Sequence, residues 1–467
     1  MFALNKLPII AGAMVVGSAA VMAVFVAQRS PVAETYLVQA DDVQAARQAV
    51  ASVSGRWVSD LDVISAVTAS LTDRQARELG SAGELRVYQN TTVGVSSSGN
   101  GNGNGGVPET SYPSWIQADE LHASGVTGEG VAIAFIDTGL WQKTANKLGA
   151  TEWVDTTGEG WSHESGAEVF EDLAGHGTHV TSVATARGIT KDGQYQGVAP
   201  GADVIVVRAF GADGHSSYAD VIEGIDWVVE HHEALNIRVL NLSFSAVPQS
   251  FYWDDPLNQA VMAAWQAGIV VVTSAGNAGP DPMTIGVPGN APYVITVGAV
   301  DDSHTPGERD DDFVSTFSSA GPTYEGFVKP ELVAPGARML AQMGPNSEIA
   351  QTYREYMHET ADYFTMSGTS QAAGVISGVA ALMLQADPGL SPDDVKCRML
   401  VASYPVRGED GVPLYSVFQQ GAGLIDAWAA VHSTAASCAN RGMDVGEDLD
   451  GLMHYAGPAA LALDGSL

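Results

Sequence analysis

The sequence predicts an α/β fold: a doubly wound, mostly parallel sheet, preceded by a small N-terminal α+β unit. Three observations lead there. Five near-continuous apolar runs, 131–136, 204–207, 239–242, 269–273 and 294–300, have the character of strands buried on both faces. Helical patterns such as 218–231 and 257–267 lie between several of them, and this alternation marks parallel strands joined by crossovers. The stretch 374–384 is apolar or small on every side, so it reads as a helix in the middle of a large domain, ended by Asp387-Pro388.

Length and composition set the frame. The 467 residues, 45% of them apolar, suffice for one large domain plus a small one. With 21 Lys and Arg against 54 Asp and Glu, the net charge of −33 excludes nucleic acid as a natural partner, because binding to a phosphate backbone is driven by cationic side chains. Acidity of this degree keeps a protein soluble.

Taken in order, the chain opens with Lys6 ahead of an apolar run, 7–27, and then Gln28-Arg29-Ser30. Residues 1–29 therefore read as an export signal, which places the rest outside the cytoplasm, in an extracellular or periplasmic setting. The run is longer than a usual cleaved core and just long enough to span a bilayer. Two outcomes stay open: removal near Ala23, a poor site with Val21 two residues before it, and retention as a membrane anchor.

Residues 34–95 carry strand signals at 35–38 and 85–88, helical spacing over 41–53 and 72–80, and an extended stretch at 57–71. Two strand–helix–strand halves of this kind read as a ferredoxin-like sandwich. The Ser-, Gly- and Asn-rich segment 96–112 has little to bury and is a linker, open to proteolytic nicking. The large domain then occupies 113–433, and an acidic, Ala-rich tail, 434–467, shows little pattern.

Three short motifs carry chemistry. Asp137-Thr138-Gly139 follows the first long strand directly and sets a carboxylate at a strand's carboxyl end. Aspartic proteases also use this tripeptide but need two carboxylates, and the chain has no second copy. Gly175-His176-Gly177-Thr178-His179-Val180 places His176 at the start of a helix. A metal reading of His176 and His179 lacks a third ligand nearby, and neither His232-Glu233 nor His358-Glu359 continues into a zinc motif. His179 reads as a core or supporting residue. Gly368-Thr369-Ser370 opens the buried helix, where a serine meets unpaired N–H groups and the positive end of the helix dipole. Alone, such a serine is a helix cap.

Asp, His and Ser in that order, each at an element boundary on one edge of the sheet, follow the order of subtilisin. From about 115 to 431 the chain resembles the subtilisin-like serine peptidases. The likeness also runs through Gly197-Val198-Ala199-Pro200-Gly201-Ala202, Ser274-Ala275-Gly276-Asn277 and Lys329-Pro330-Glu331-Leu332-Val333-Ala334-Pro335-Gly336. It implies a serine endopeptidase acting on protein or peptide substrates. Ser370 would be the nucleophile, His176 its base and Asp137 the orienting carboxylate, with Asn277 donating to the oxyanion.

The resemblance further implies that Ser243, Phe244, Ser245, Ser274, Ala275 and Gly276 line the pocket before the scissile bond. Uncharged walls of this kind predict broad cleavage favouring apolar residues. The 34–95 unit is similar to the family's inhibitory propeptide, so the chain would act on itself within 93–112 and be held as a zymogen. Two positions depart from the family pattern: Gly374 stands for a proline, and Ser245 for a glycine at the cleft rim. No cofactor is required; a structural calcium is compatible with the family but not located, and Asp310-Asp311-Asp312 reads as a solvated acidic loop. Export would allow Cys397 and Cys438 to form a disulfide across 41 residues. The rival reading is a catalytically silent binding scaffold on the same fold.

Overall fold

The computed structural model describes residues 32–95 except 82 and 84, residues 110–303 except 159–161 and 164–170, and residues 305–460 except 306–308 and 409. The expected export segment, most of the linker and the last seven residues lie outside the described residues.

The N-terminal unit is a four-stranded antiparallel sheet. Its order is Arg56–Leu61, Ala66–Thr72, Ala33–Gln39, Arg86–Gln89, with helices Val43–Ser52 and Asp73–Gly80 on the chain between them. This is the ferredoxin-like arrangement. The stretch expected to be one extended segment at 57–71 is two strands, because Asp62–Ile64 forms a 3-10 turn and Ser65 takes a left-handed conformation, φ 52°, that reverses the chain. Asp42 and Thr72 cap the two helices through their side chains, Thr72 with Gln75 as a capping box.

The large unit is built on a nine-stranded sheet. Ala132–Asp137, the first strand, lies at its centre. Asp203–Arg208 and Ala150–Asp155 follow on one side, and Ile237–Leu242, Val270–Ser274, Ile295–Asp301 and Leu332–Pro335 on the other, all parallel. Short antiparallel strands, Ser162–His163 and Phe313–Val314, flank this set. The chain leaves the central strand towards both edges in turn, so the carboxyl end of that strand is the point where the order reverses, and Asp137 sits there. Helix Tyr218–His231 lies as expected; Pro256–Gln266 starts one residue early, with Asp255 as its cap and proline at its first position.

Helix Thr369–Ala386 is buried from Thr369 through Leu384 and packs on the strands and on helix His176–Thr185. Gly374 marks where the two helices come close: a Cβ there would stand 3.0 Å from the Val180 carbonyl. The tail is part of this body. Cys438 is bonded to Cys397, with Cα atoms 5.2 Å apart, and helix Val445–Leu449 lies against Pro256–Gln266.

Candidate active site

Asp137 ends the central strand and His176 begins its helix, and both are almost fully buried. His176 Nδ1 lies 2.7 Å from Asp137 Oδ1, which also accepts from the Thr138 N–H at 2.8 Å. The imidazole therefore donates through Nδ1, and its Nε2, buried and without a hydrogen-bond partner, is left as the acceptor. Gly177 is what lets the two elements meet. A Cβ there would come 2.4 Å from the Gly139 carbonyl.

Ser370 is the second residue of helix Thr369–Ala386, so its backbone N–H lies in the first turn, where no carbonyl of the helix can accept it. Its hydroxyl donates to the Ser243 carbonyl at 2.9 Å, and the Ser243 hydroxyl donates back to the Ser370 carbonyl at 3.1 Å. Asn241 donates to that same Ser243 hydroxyl and accepts from Ser377, so the serine helix is tied to the end of the Ile237–Leu242 strand. Asn277 follows the next strand, and its Oδ1 accepts from both the Thr369 N–H and the Thr369 hydroxyl, each at 3.0 Å. Two donors on that oxygen fix the plane of the amide and leave Nδ2 as its donor end.

The cleft beside this group already holds a strand of the same chain. Thr92–Gly94 pairs antiparallel with His215–Ser217, and Gly94 bridges to Ser245 on its other side. The Ser245 N–H donates to the Gly94 carbonyl at 3.3 Å and the Val95 N–H to the Gly214 carbonyl at 3.0 Å. Val93, 1% exposed, is buried in the core of the large unit.

Of the expected pocket residues, Ser274 donates to the Phe244 carbonyl at 3.0 Å, and Ala275 is buried. Gly276 has φ 104°, and a Cβ on it would meet the hydroxyls of Ser319 and Ser245 at 3.0 and 3.3 Å. The Phe244 ring is 1% exposed and packs on Phe210 with ring centres 5.0 Å apart. Asp312 is buried and its carboxyl pushed up to about 7 by that burial, so the Asp310-Asp311-Asp312 run is only partly solvated. Among the described residues no group of three His, Cys, Asp or Glu is gathered as a metal ion would need.

Asp172 escapes a reading of the sequence by motif. Buried at 3% exposure, it accepts from the Thr138 hydroxyl at 2.8 Å and the Gly175 N–H at 2.6 Å on one oxygen. On the other it accepts from the Thr178 N–H at 2.8 Å and the Thr178 hydroxyl at 2.7 Å. Its position four residues before His176 was the one signal available.

A buried histidine held by a carboxylate, with a serine and an oriented amide at helix and strand ends on the same sheet edge, is the layout of a hydrolase with a serine nucleophile. The profile of the subtilase family, the S8 peptidases, matches residues 128–423. The chain belongs to that family of serine endopeptidases. It is 40% identical over 276 residues to serine protease AprX of Bacillus subtilis, covering 58% of this chain and 60% of that protein's length. It is 31% identical over 317 residues to subtilisin DY of Bacillus licheniformis, covering 68% of this chain and 96% of the relative. Fervidolysin from Fervidobacterium pennivorans, a keratinolytic enzyme related to subtilisin, shares the fold with a TM-score of 0.67. That likeness spans 86% of this chain and 61% of that one, at 22% identity.

Proposed function

We propose that this chain is an exported serine endopeptidase made as a zymogen that cuts itself. The observation that carries the reading is the strand Thr92–Gly94, seated in the cleft beside Ser370 between Ser217 and Ser245 as an extended peptide substrate would sit.

In this mechanism the Ser370 hydroxyl turns from the Ser243 carbonyl towards His176 Nε2 and attacks the scissile carbonyl carbon while Nε2 takes its proton. Asp137 holds the Nδ1–H and stabilises the imidazolium. The new oxyanion is received by the Ser370 N–H and by Asn277 Nδ2. Nε2 then passes the proton to the leaving amine, and a water molecule, deprotonated the same way, releases the acyl group.

The antiparallel register supports a particular bond for self-cleavage. Gly94 lies opposite Ser245, and in an antiparallel substrate strand the position two residues further on falls opposite Ser243, whose carbonyl is 2.9 Å from Ser370 Oγ. We assign the cut to the 96–97 bond. Specificity follows from the walls: Ser243, Ser274, Ala275 and Gly276 offer no charge to pair with Lys or Arg, so they favour apolar residues broadly. Gly94 opposite Ser245 fits a rim at which a side chain replaces the glycine of the family pattern.

The full chain should mature with a new N-terminus at residue 97, and Ser370→Ala should keep its N-terminal unit attached, both read by intact mass. Clean processing of Ser370→Ala in a protease-free preparation would overturn self-cleavage, and a first-formed N-terminus other than residue 97 would overturn the register. Strict cleavage after Lys or Arg in a peptide library would refute the pocket reading.

A further inference from the structure

We propose that Asp172 is a positioning residue: its buried carboxylate sets the distance between the strand end that carries Asp137 and the helix start that carries His176. The inference rests on the catalytic roles assigned above.

Between them, the two Asp172 oxygens join groups flanking both reacting side chains. One binds the Thr138 hydroxyl, next to Asp137, and the Gly175 N–H, next to His176. The other binds Thr178, in the first turn of the histidine helix, through both its N–H and its hydroxyl. The two hydroxyls are themselves polarised towards Asp172. Thr138 Oγ1 accepts the Gly177 N–H at 2.8 Å and Thr178 Oγ1 accepts the Trp141 N–H at 2.8 Å, so each hydroxyl's single proton is free for the carboxylate. Four incoming donors are what an ionised carboxylate accommodates and what no neutral side chain of that size can. Burial pushes the Asp172 carboxyl up, and the same four hydrogen bonds pull it back.

Asparagine is the informative replacement. Whichever way its amide is turned, the NH2 faces an obligate backbone donor, Gly175 N–H on one side or Thr178 N–H on the other. One side of the clamp must then open. The effect belongs to the reacting geometry rather than to substrate affinity, because Asp172 is buried and its described hydrogen bonds all go to Thr138, Gly175 and Thr178. Misplacement of a reacting group by about 1 Å costs on the order of 100-fold in rate.

The test is a double-mutant cycle on enzyme matured from the full chain, with active sites counted by a fluorophosphonate and a chromogenic peptide as substrate. Asp172→Asn should lower kcat per titrated site by about 10- to 100-fold and leave KM within about twofold. In an Asp137→Asn background the same change should cost less than about threefold, since the pair it aligns is already broken. A role confined to stability would lower the titrated fraction or the melting temperature with kcat per site unchanged, and that result overturns the proposal. Equal, additive losses in both backgrounds would overturn it too. A failure of the catalytic reading itself looks different: hydrolysis by the parent chain would then survive Ser370→Ala or Asp137→Asn.

Discussion

His179 lies one turn beyond His176 and shows how much a residue's surroundings decide. Its Nε2 stands 3.1 Å from both the Met339 and Phe364 carbonyls, which can only accept, so that nitrogen carries the proton of a neutral ring. Burial, the larger cause, and the neighbouring His176 push it down to about 3. The unfolded chain takes up a proton near pH 6.5 that the folded one refuses until about pH 3, so this contribution to stability is complete above pH 6.5 and lost as pH falls towards 3. In an inactive Ser370→Ala background, replacing His179 by Gln should flatten that limb. The stability difference between the two should change by about 1.4 kcal/mol per pH unit below 6.5, read from urea unfolding. A constant difference would mean the ring is charged in the fold. In the proposed mechanism Asn277 acts in the transition state alone, so Asn277→Ala should lower kcat by about 100- to 1000-fold with KM nearly unchanged. A matching rise in KM would show instead that it binds the ground state.

At the scale of elements, the tail segment is held by a buried carboxylate as well as by the apolar contacts of Met443, Val445, Leu449 and Tyr455 with the core. Asp448, 2% exposed in helix Val445–Leu449, accepts the hydroxyls of Tyr252 at 2.6 Å and Tyr293 at 2.9 Å and pairs with His454 at 2.8 Å. His454 stacks on Trp253, which stacks on Phe251, so the loop before helix Pro256–Gln266 is clamped by the end of the chain. The Cys397–Cys438 link anchors the start of the same segment. Closing 41 residues is worth about 4 kcal/mol in the chain-entropy account. Asp448→Ala would strand two buried phenols. It should cost about 2–4 kcal/mol in global unfolding and expose 444–460 to limited proteolysis while the disulfide keeps 438 in place. Unaltered protease resistance would show that the contacts of 457–459 with Gly326 suffice.

On the scale of the whole molecule, the joint between the two units includes two carboxylates of helix Tyr218–His231, Glu223 and Asp226, that no cation faces in the described contacts. Glu223, 4% exposed, accepts the Ser59 hydroxyl with one oxygen, and its other oxygen has no partner. Asp226 accepts the N–H groups of Asp62 and Val63 at 3.1 and 2.8 Å, capping the turn that enters the large unit's surface. Burial first, and then the surrounding Asp62, Asp220 and Glu230, push Glu223 up to about 7 and Asp226 up to about 6. Separated, both return towards ordinary carboxylate values, so the docked state holds the extra protons. Docking is strongest below about pH 4 and weakens as pH rises through about 6 to 7. After self-cleavage the lag before peptide hydrolysis should therefore be longer at pH 5 than at pH 8, and Glu223→Gln should shrink the difference. A lag that ignores pH in both proteins would place the release barrier in the Thr92–Gly94 strand instead.

By itself the sequence determined the buried parallel strands, the long apolar helix, the ferredoxin-like unit and the three motifs at element boundaries. Apolar runs, glycines at close approaches and proline stops act locally and leave local traces. Only the tertiary structure decided which groups meet. Asp172 looks like one acidic residue among 54 until the fold aims four donors at it. Phe244 gives no sign in the sequence of its packing partner, and only the fold sets it against Phe210. The tail looks patternless because its attachment combines a disulfide, a few apolar side chains and single polar contacts to distant tyrosines, which have no period to read. Hydrogen bonds across long sequence separations depend on positions that the whole chain sets together, and for that reason no stretch of sequence announces them.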